Sequence, residues 1–458
     1  MKVVICGAGQ VGFSIARYLS QQDNNITVID QSESLINHLS DSLDVRGIVG
    51  HASHPEILVK AGIADADMIV GVTYSDEMNM VACQIAYSLF GVPLKIARVR
   101  SKSYLDPQWA RLYAAEHMPV DHIISPEIEV AKAIGRSLEI PGAFQAVEFA
   151  EGAFTFVGTR ARATSPIINT PLRLMGGLFR NLDLSIMGIV RGERFFVPNG
   201  SDRIEAEDEV YYLAPSSQIS NAIEAFGYTE NRATRLLILG GGNVGLSLAQ
   251  EIEANHTAIT SMMIERDLGR AAFVANELNR TVVLSGDALD REILKEASAQ
   301  VANIVVAVTD DDKVNILAAL LAKRTGAQSV MSLVNSLSYS SLVTSLGIDA
   351  VISPKALTVS SILQYVRRGR IRLVHSLREG YGEVIEAEAV GTSSVVGMSV
   401  DEINAPGTLQ IAGISRGDEV IIPRAETVIK VNDRIIVIVT TDGVKRFEKL
   451  FSVRLGYF

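Results

Sequence analysis

The sequence predicts an α/β fold in tandem: two doubly wound parallel-sheet (Rossmann) domains, each followed by a small α+β module. Three observations predict it. GAGQVG at residues 7–12 follows the apolar run MKVVIC, and a near copy, GGGNVG at residues 240–245, follows TRLLIL. Short β-branched runs alternate with amphipathic segments after each loop, as expected for buried parallel strands joined by crossover helices. The second half of the chain repeats the first in the same order.

Taken in order, half one reads KVVICG, ITVID, RGIVGHA, MIVGVT, LKIARVR and HIISP, and half two reads RLLILG, SMMIE, TVVLSGDA, NIVVAVT, SVMSLV and AVISP. A helix from Val11 sets Ile15, Tyr18 and Leu19 on one face. NMVACQIAYSLFG and its counterpart NILAALLAKRTG end on Gly91 and Gly326, the usual left-handed stop. Each ISP (Ile124–Pro126, Ile352–Pro354) precedes a helical stretch and a smaller unit. The smaller units match each other, GIVRGERFFVPNGSDRIEAEDEV from Gly188 against GISRGDEVIIPRAETVIKVNDRI from Gly413. Arg-Gly-acid between strands is a hairpin signal, which makes Arg191 and Arg416 turn residues. The expected domains are residues 1–125, 140–220, 232–353 and 372–456.

With 48% hydrophobic and 21% charged residues, the chain can bury globular cores. No apolar run reaches the ~18 residues of a membrane span. Lys2 is followed at once by a strand and the glycine loop, so no signal peptide is read, and the expected compartment is the cytoplasm. A net charge of −10 argues against a nucleic-acid partner, which needs clustered cations. The basic run VRRGRIR (366–372) is read as a solvated helix end in preference to a contact with an acidic partner or anionic membrane. Cys6 and Cys83 are expected to be reduced core residues.

Each glycine loop follows a strand, opens a helix and has an acid ending the next strand, which together make a dinucleotide fingerprint. Gly7 permits the tight turn, Gly9 lets pyrophosphate approach the backbone, and Gly12 lets the helix pack closely. With Ala8, Gln10 and Val11 they form a cradle at a helix N-terminus, whose free N–H groups and partial positive charge favour phosphate. Asp30 is placed to accept hydrogen bonds from ribose hydroxyls and to repel a 2′-phosphate, so NAD(H) is preferred over NADP(H). Gly240, Gly242, Asn243, Val244, Gly245 and Glu265 repeat the pattern with a longer acid and a longer spacing.

His51-Ala52 and Asp287-Ala288 end the third strands, at the edge where adenine binds. His51 and His54 have no clear third ligand, so a polar turn is preferred to a metal site. Thr73/Thr309, Asp76/Asp312 and Asn79/Asn315 align after the fourth strands, with Thr73 facing the crevice. Asp310–Asp312 either cap a helix or hold a divalent ion, and capping is preferred. Arg98 and Arg100 fall on one face by alternation and are placed for phosphate, such as that of ATP. Half two has Leu333 and Asn335 there.

Together these residues resemble the potassium-transport nucleotide-binding domains, also called regulator-of-potassium-conductance domains, in two copies covering nearly the whole chain. The resemblance implies a cytosolic homo-oligomer, a dimer or tetramer ring. It also implies binding of NAD(H) and of ATP/ADP through the two loops and their acids, and docking on an integral membrane potassium channel or transporter subunit that the ring gates. Some relatives carry a basic residue inside the first loop. Gln10 and Asn243 stand there, which leaves ATP recognition to Arg98 and Arg100. The alternative is an NAD-dependent dehydrogenase, but no acid/base constellation is visible, so no catalytic residue is assigned.

Overall fold

The computed structural model describes all residues except 21–23, 180–181, 193, 229–232, 337–338, 340–342, 344–345, 367–370, 378–380 and 452–458. Most of the basic run at 366–372 and the acid of the first hairpin, Glu193, therefore lie outside the described residues. The chain divides into two compact units, Met1–Glu129 with Lys355–Val366, and Val130–Pro354 with Arg367–Phe458.

The first unit contains a six-stranded parallel sheet. Its strands are β1 (Lys2–Cys6), β2 (Asn25–Asp30), β3 (Arg46–Val49), β4 (Met68–Gly71), β5 (Leu94–Arg98) and β6 (His122–Ile124), in the order β3-β2-β1-β4-β5-β6. The reversal of strand order between the parallel neighbours β1 and β4 makes a crevice at their carboxyl ends, where an open α/β sheet binds its ligands. Cys6 and Cys83 are both free and fully buried, and burial raises both thiols, Cys6 to about 12. The helix Asp76–Phe90 is capped by Ser75 and stops at Gly91, whose φ is +65°.

The second unit contains three sheets. Small sheet one comprises β7 (Ala143–Phe149), β8 (Phe154–Arg160), β9 (Ser185–Arg191), β10 (Arg194–Phe196) and β11 (Glu209–Pro215), in the order β10-β9-β11-β8-β7. The parallel sheet that follows has β12 (Arg235–Leu239), β13 (Thr260–Glu265), β14 (Val282–Ser285), β15 (Ile304–Ala307), β16 (Ser329–Leu333) and β17 (Ala350–Ile352). Its order, β14-β13-β12-β15-β16-β17, repeats that of the first parallel sheet. Small sheet two has β18 (Ile371–Ser376), β19 (Glu383–Glu388), β20 (Leu409–Arg416), β21 (Glu419–Ile421) and β22 (Arg434–Val439), in the order β18-β19-β22-β20-β21. Strand for strand this is the order of small sheet one, and every pairing within the two small sheets is antiparallel.

The hairpins at Arg191-Gly192 and Arg416-Gly417 form as expected, with the glycines at φ +63° and +59°. The arginines do more than turn the chain. Arg191 grips the buried Asp208 through Nε and Nη2, and Arg416 grips the buried Asp433 in the same way.

The two small sheets pack face to face. Phe154, Phe156, Met187, Tyr211 and Leu213 of the first meet Val384, Ala412, Ile436 and Ile438 of the second in one core. His375 on β18 sits in this region at 6% exposure, against the side-chain amide of Gln145 and the ring of Phe156. Burial, with a smaller push from Arg136, lowers its pKa to about 4. A depressed histidine is held neutral in the folded protein, so its contribution is complete above the unfolded value near 6.5 and is lost as pH falls toward 4. In that window the wild type is expected to lose about 1.4 kcal/mol per pH unit more than His375→Gln. Urea unfolding across pH 7 to 4 measures this, and parallel pH slopes for the two proteins would refute it.

Candidate nucleotide-binding clefts

Each cleft is built around a glycine that only glycine can be. Gly7 has φ +115° and Gly240 has φ +110°. A Cβ on Gly7 would lie 2.9 Å from the carbonyl of Val72, and one on Gly240 would lie 3.0 Å from Thr309. The loops therefore rest on the chain leaving the fourth strands, which brings Thr73 and Thr309 to the cradle. Gly12 and Gly245 are tighter still, since a Cβ there would fall 1.8 Å and 2.0 Å from the carbonyl oxygens of Gly7 and Gly240. Gly9 and Gly242, in contrast, face open space, with nothing within 4 Å of a built Cβ. Gly7 and Gly12, like Gly240 and Gly245, thus serve packing, while Gly9 and Gly242 leave a vacant volume over the helix N-terminus. The helices begin at Gln10 and Asn243, so Val11 and Val244 lie in their first turns.

The acids are fixed in matching positions. Asp30 accepts from the N–H of Ala8 at 2.7 Å and from that of Ser32 at 2.9 Å. Glu265 accepts from the N–H of Gly241 at 2.7 Å and from that of Asp267 at 2.8 Å. The longer spacing in half two leaves the acid in the same place, since Asp30 and Glu265 hold equivalent backbone N–H groups. Each carboxylate oxygen holds one backbone donor and has capacity for another.

Thr73 donates to Asn79 Oδ1 at 2.7 Å, and Thr309 donates to Asn315 Oδ1 at 2.6 Å. Both asparagines are fully buried, and their amides bind the carbonyls of Arg98 and Leu333. Asn79 and Asn315 thus clamp the ends of adjacent strands and hold the threonines in place.

Asp311 caps its helix through the N–H groups of Lys313 and Val314. Asp312 receives the N–H groups of Asn335 and Ser336, as Asp76 receives those of Arg100 and Ser101. Among the described residues no group of three or more His, Cys, Asp or Glu is placed to hold a metal.

His51 and Asp287 follow β3 and β14 at the edge beside the acids, where Asp30 pairs with Val49 and Glu265 with Ser285. The His51 ring stacks on His54 at 5.0 Å, and Asp287 binds the N–H of Leu289. The side chains of Ala52 and Ala288 are packed into their domain cores, which leaves their backbones for any ligand contact.

The arginine expectation needs correction. β5 ends at Arg98, so alternation does not carry through to Arg100. Arg100 forms an ion pair with Glu127, Nε to Oε1 at 3.0 Å, and Glu127 is buried. Arg98 donates through Nη2 to the Thr73 carbonyl at 2.8 Å, while its buried Nε has no partner. Burial, together with the neighbouring Arg100, depresses the Arg98 pKa. Arg98 therefore borders the crevice beside Thr73, and Arg100 stays close to it while its Nε is paired with Glu127.

Sequence reasoning missed Arg270. Its Nε donates to the Gly241 carbonyl at 2.7 Å and its Nη2 to Asn243 Oδ1 at 3.3 Å, which sets a guanidinium on the second loop. The available signal was local. Arg270 lies three residues after the cap residue Asp267, in the first turn of the helix that follows the acid.

Two parallel sheets carrying glycine cradles, each followed by an antiparallel module, define a tandem nucleotide-binding-domain protein. Family models agree, with the TrkA-N domain matching residues 3–126 and 236–354 and the TrkA-C domain matching 160–227 and 384–452. The chain belongs to the family of the Trk system potassium uptake protein TrkA. It is 45% identical to that protein of Azorhizobium caulinodans over 458 residues, covering all of both chains. Against the Vibrio alginolyticus protein it is 40% identical over 456 residues, covering 99% of each. Among solved structures it is similar in fold to the GsuK channel bound to NAD, with a TM-score of 0.60 at 17% identity, covering 98% of this chain and 78% of that one. The family is one of potassium uptake proteins and not of dehydrogenases, so the enzyme alternative falls away.

Proposed function

We propose that the protein is the nucleotide-sensing regulatory subunit of a potassium uptake system. It binds NAD(H) and the adenine nucleotides ATP and ADP, and gates an integral membrane potassium channel or transporter by changing the arrangement of its domains. The modules are residues 1–125, 140–220, 232–353 and 372–456. The observation that carries this reading is the open volume above Gly9 and Gly242, each beside a carboxylate locked in place by two backbone N–H groups.

In this reading the loop residues at 7–12 and 240–245 receive the pyrophosphate, and Asp30 and Glu265 take the ribose hydroxyls. His51-Ala52 and Asp287-Ala288 border the adenine. Thr73, Thr309 and Arg98 line the crevice. Among the described residues no helix is long and apolar enough to cross a membrane. The protein works as a homo-oligomeric ring, a dimer or tetramer, peripheral on the inner face of the plasma membrane.

A bound nucleotide shifts the arrangement only by its differential affinity for two states. Coupling of ~1–3 kcal/mol per site is typical, and ~5.5 kcal/mol moves a 1:99 population to 99:1. Duplicated clefts in an oligomeric ring reach that sum, which gives a physical reason for two cradles in one chain.

Calorimetry on the full chain with NADH, NAD, ATP and ADP tests the reading. Binding is expected, and Asp30→Ala should weaken NADH by about tenfold or more, the loss of charge-assisted hydrogen bonds. Silence from all four ligands would overturn it. Recovery of a potassium-translocating membrane protein with the tagged chain, in a nucleotide-dependent manner, tests the partner.

A further inference from the structure

The two clefts differ at one position that the fold itself aligns. Ser32 and Asp267 are equivalent, because each gives its N–H to the cleft acid and its side chain to the N–H three residues on. That third residue is Leu35 in the first cleft and Arg270 in the second. Leu35 is 39% exposed and carries no charge. Arg270 carries one, and among the described residues its side-chain hydrogen bonds go only to neutral oxygens, the Gly241 carbonyl and the Asn243 amide oxygen, with no ion pair formed. Its guanidinium also lies 5.0 Å from the centre of the Phe273 ring, which steadies it at the loop.

A guanidinium without a carboxylate partner, beside a helix N-terminus and the vacant volume at Gly242, is a ready anion contact. Glu265 takes the N–H of Gly241 while Arg270 binds its carbonyl, so the same cleft offers one acceptor for ribose and one cation for phosphate. We propose that Arg270 makes the second cleft phosphate-reading. It selects adenosine ligands by their 5′-phosphates, through a direct Arg270 contact that the first cleft lacks. This inference rests on the nucleotide reading above and deepens it. It adds to the asymmetry expected from Arg98 and Arg100 a cation that only the second cleft carries on its loop.

The test uses the full chain with cleft one blocked by Gly9→Asp, which puts a carboxylate into its open volume. Adenosine, AMP and ADP are titrated calorimetrically, and R270L is compared with its parent. R270L should lose ADP affinity about tenfold or more, while adenosine changes less than twofold and R270K retains an intermediate ADP affinity. A loop strut, in contrast, would weaken all three ligands alike, and that pattern refutes the contact. The reciprocal variant L35R, with cleft two blocked by Gly242→Asp, should gain affinity for ADP and not for adenosine. It changes an exposed residue, so it reads the same contact even where R270L folds poorly. ADP bound by R270L within twofold of its parent removes this inference alone. ADP bound by neither blocked protein removes the nucleotide reading as well.

Discussion

Alanine at Gly12 is expected to destroy the first cleft and destabilise its domain, whereas alanine at Gly9 should weaken nucleotide binding and leave the fold intact. The contrast follows from where a Cβ would go. At Gly12 it would lie 1.8 Å from the Gly7 carbonyl oxygen, inside any van der Waals contact, and 3.5 Å from Val72 Cγ2. Relief requires the helix to move off the strand, but Gly7 is held by its N–H bond to Ile29 at 2.7 Å and cannot follow freely. Overpacking of a rigid site costs roughly 1–3 kcal/mol and more where backbone must shift. At Gly9 a methyl group meets nothing within 4 Å, so the folded state tolerates it and only an incoming phosphate is crowded. Hydrogen exchange of β1 and the helix Gln10–Ser20, with NADH titration, checks this in the two variants. The account fails if Gly9→Ala loses as much protection there as Gly12→Ala does. Gly245→Ala and Gly242→Ala should repeat the contrast in the second cleft, where the contact is 2.0 Å and the space equally open.

That contrast also shows why the cradles were legible in the sequence. A loop requiring positive φ, a close helix approach and an open backbone needs three glycines at set spacing, and few other structures do. The parallel, doubly wound character of the two large sheets followed from strand–helix alternation and the handedness of crossovers. The arginines were less legible. Alternation predicts a shared face only while the strand lasts, and β5 stops at Arg98. Arg100 then found Glu127, 27 residues further on, a pairing no local pattern announces. Arg270 escaped notice because its neighbours in the cleft, Gly241 and Asn243, lie 29 and 27 residues before it. The face-to-face packing of the small sheets was equally hidden, since both faces of such a strand can read as apolar when one packs on helices and the other on a second sheet. Gly413 marks the close approach, with a Cβ there falling 2.6 Å from Leu213 Cδ2, yet within its strand it reads only as a turn-adjacent glycine.

The second large effect is expected at Asp433. Its side chain is fully buried, and both oxygens are engaged by Arg416, Nε to Oδ1 at 2.8 Å and Nη2 to Oδ2 at 2.8 Å. Oδ2 also accepts from the N–H of Lys430 at 2.8 Å, and Arg416 donates further to the Val428 carbonyl at 2.9 Å. The hydrogen bonds from Arg416 to the Asp433 carboxylate raise the pKa of the arginine. Asp208 and Arg191 build the same arrangement in small sheet one, down to the N–H of Glu205 on Oδ2 at 2.8 Å. Breaking a buried pair from one side strands the other charge, at about 3–5 kcal/mol. The solvent-accessible part of Arg416 reduces that for Asp433→Ala, because its guanidinium can turn outward, whereas Arg416→Ala leaves a buried carboxylate with no such escape. Arg416→Ala is therefore expected to be the more damaging of the two. The double variant should recover part of the loss, because removing both partners leaves no orphaned charge. Hydrogen exchange of β20 and β22 reads the effect locally, which matters in a chain of several domains where a single melting temperature is poorly defined. Strictly additive losses in the double variant would show that the arginine and the aspartate act independently, and the matched pair in small sheet one provides the replicate.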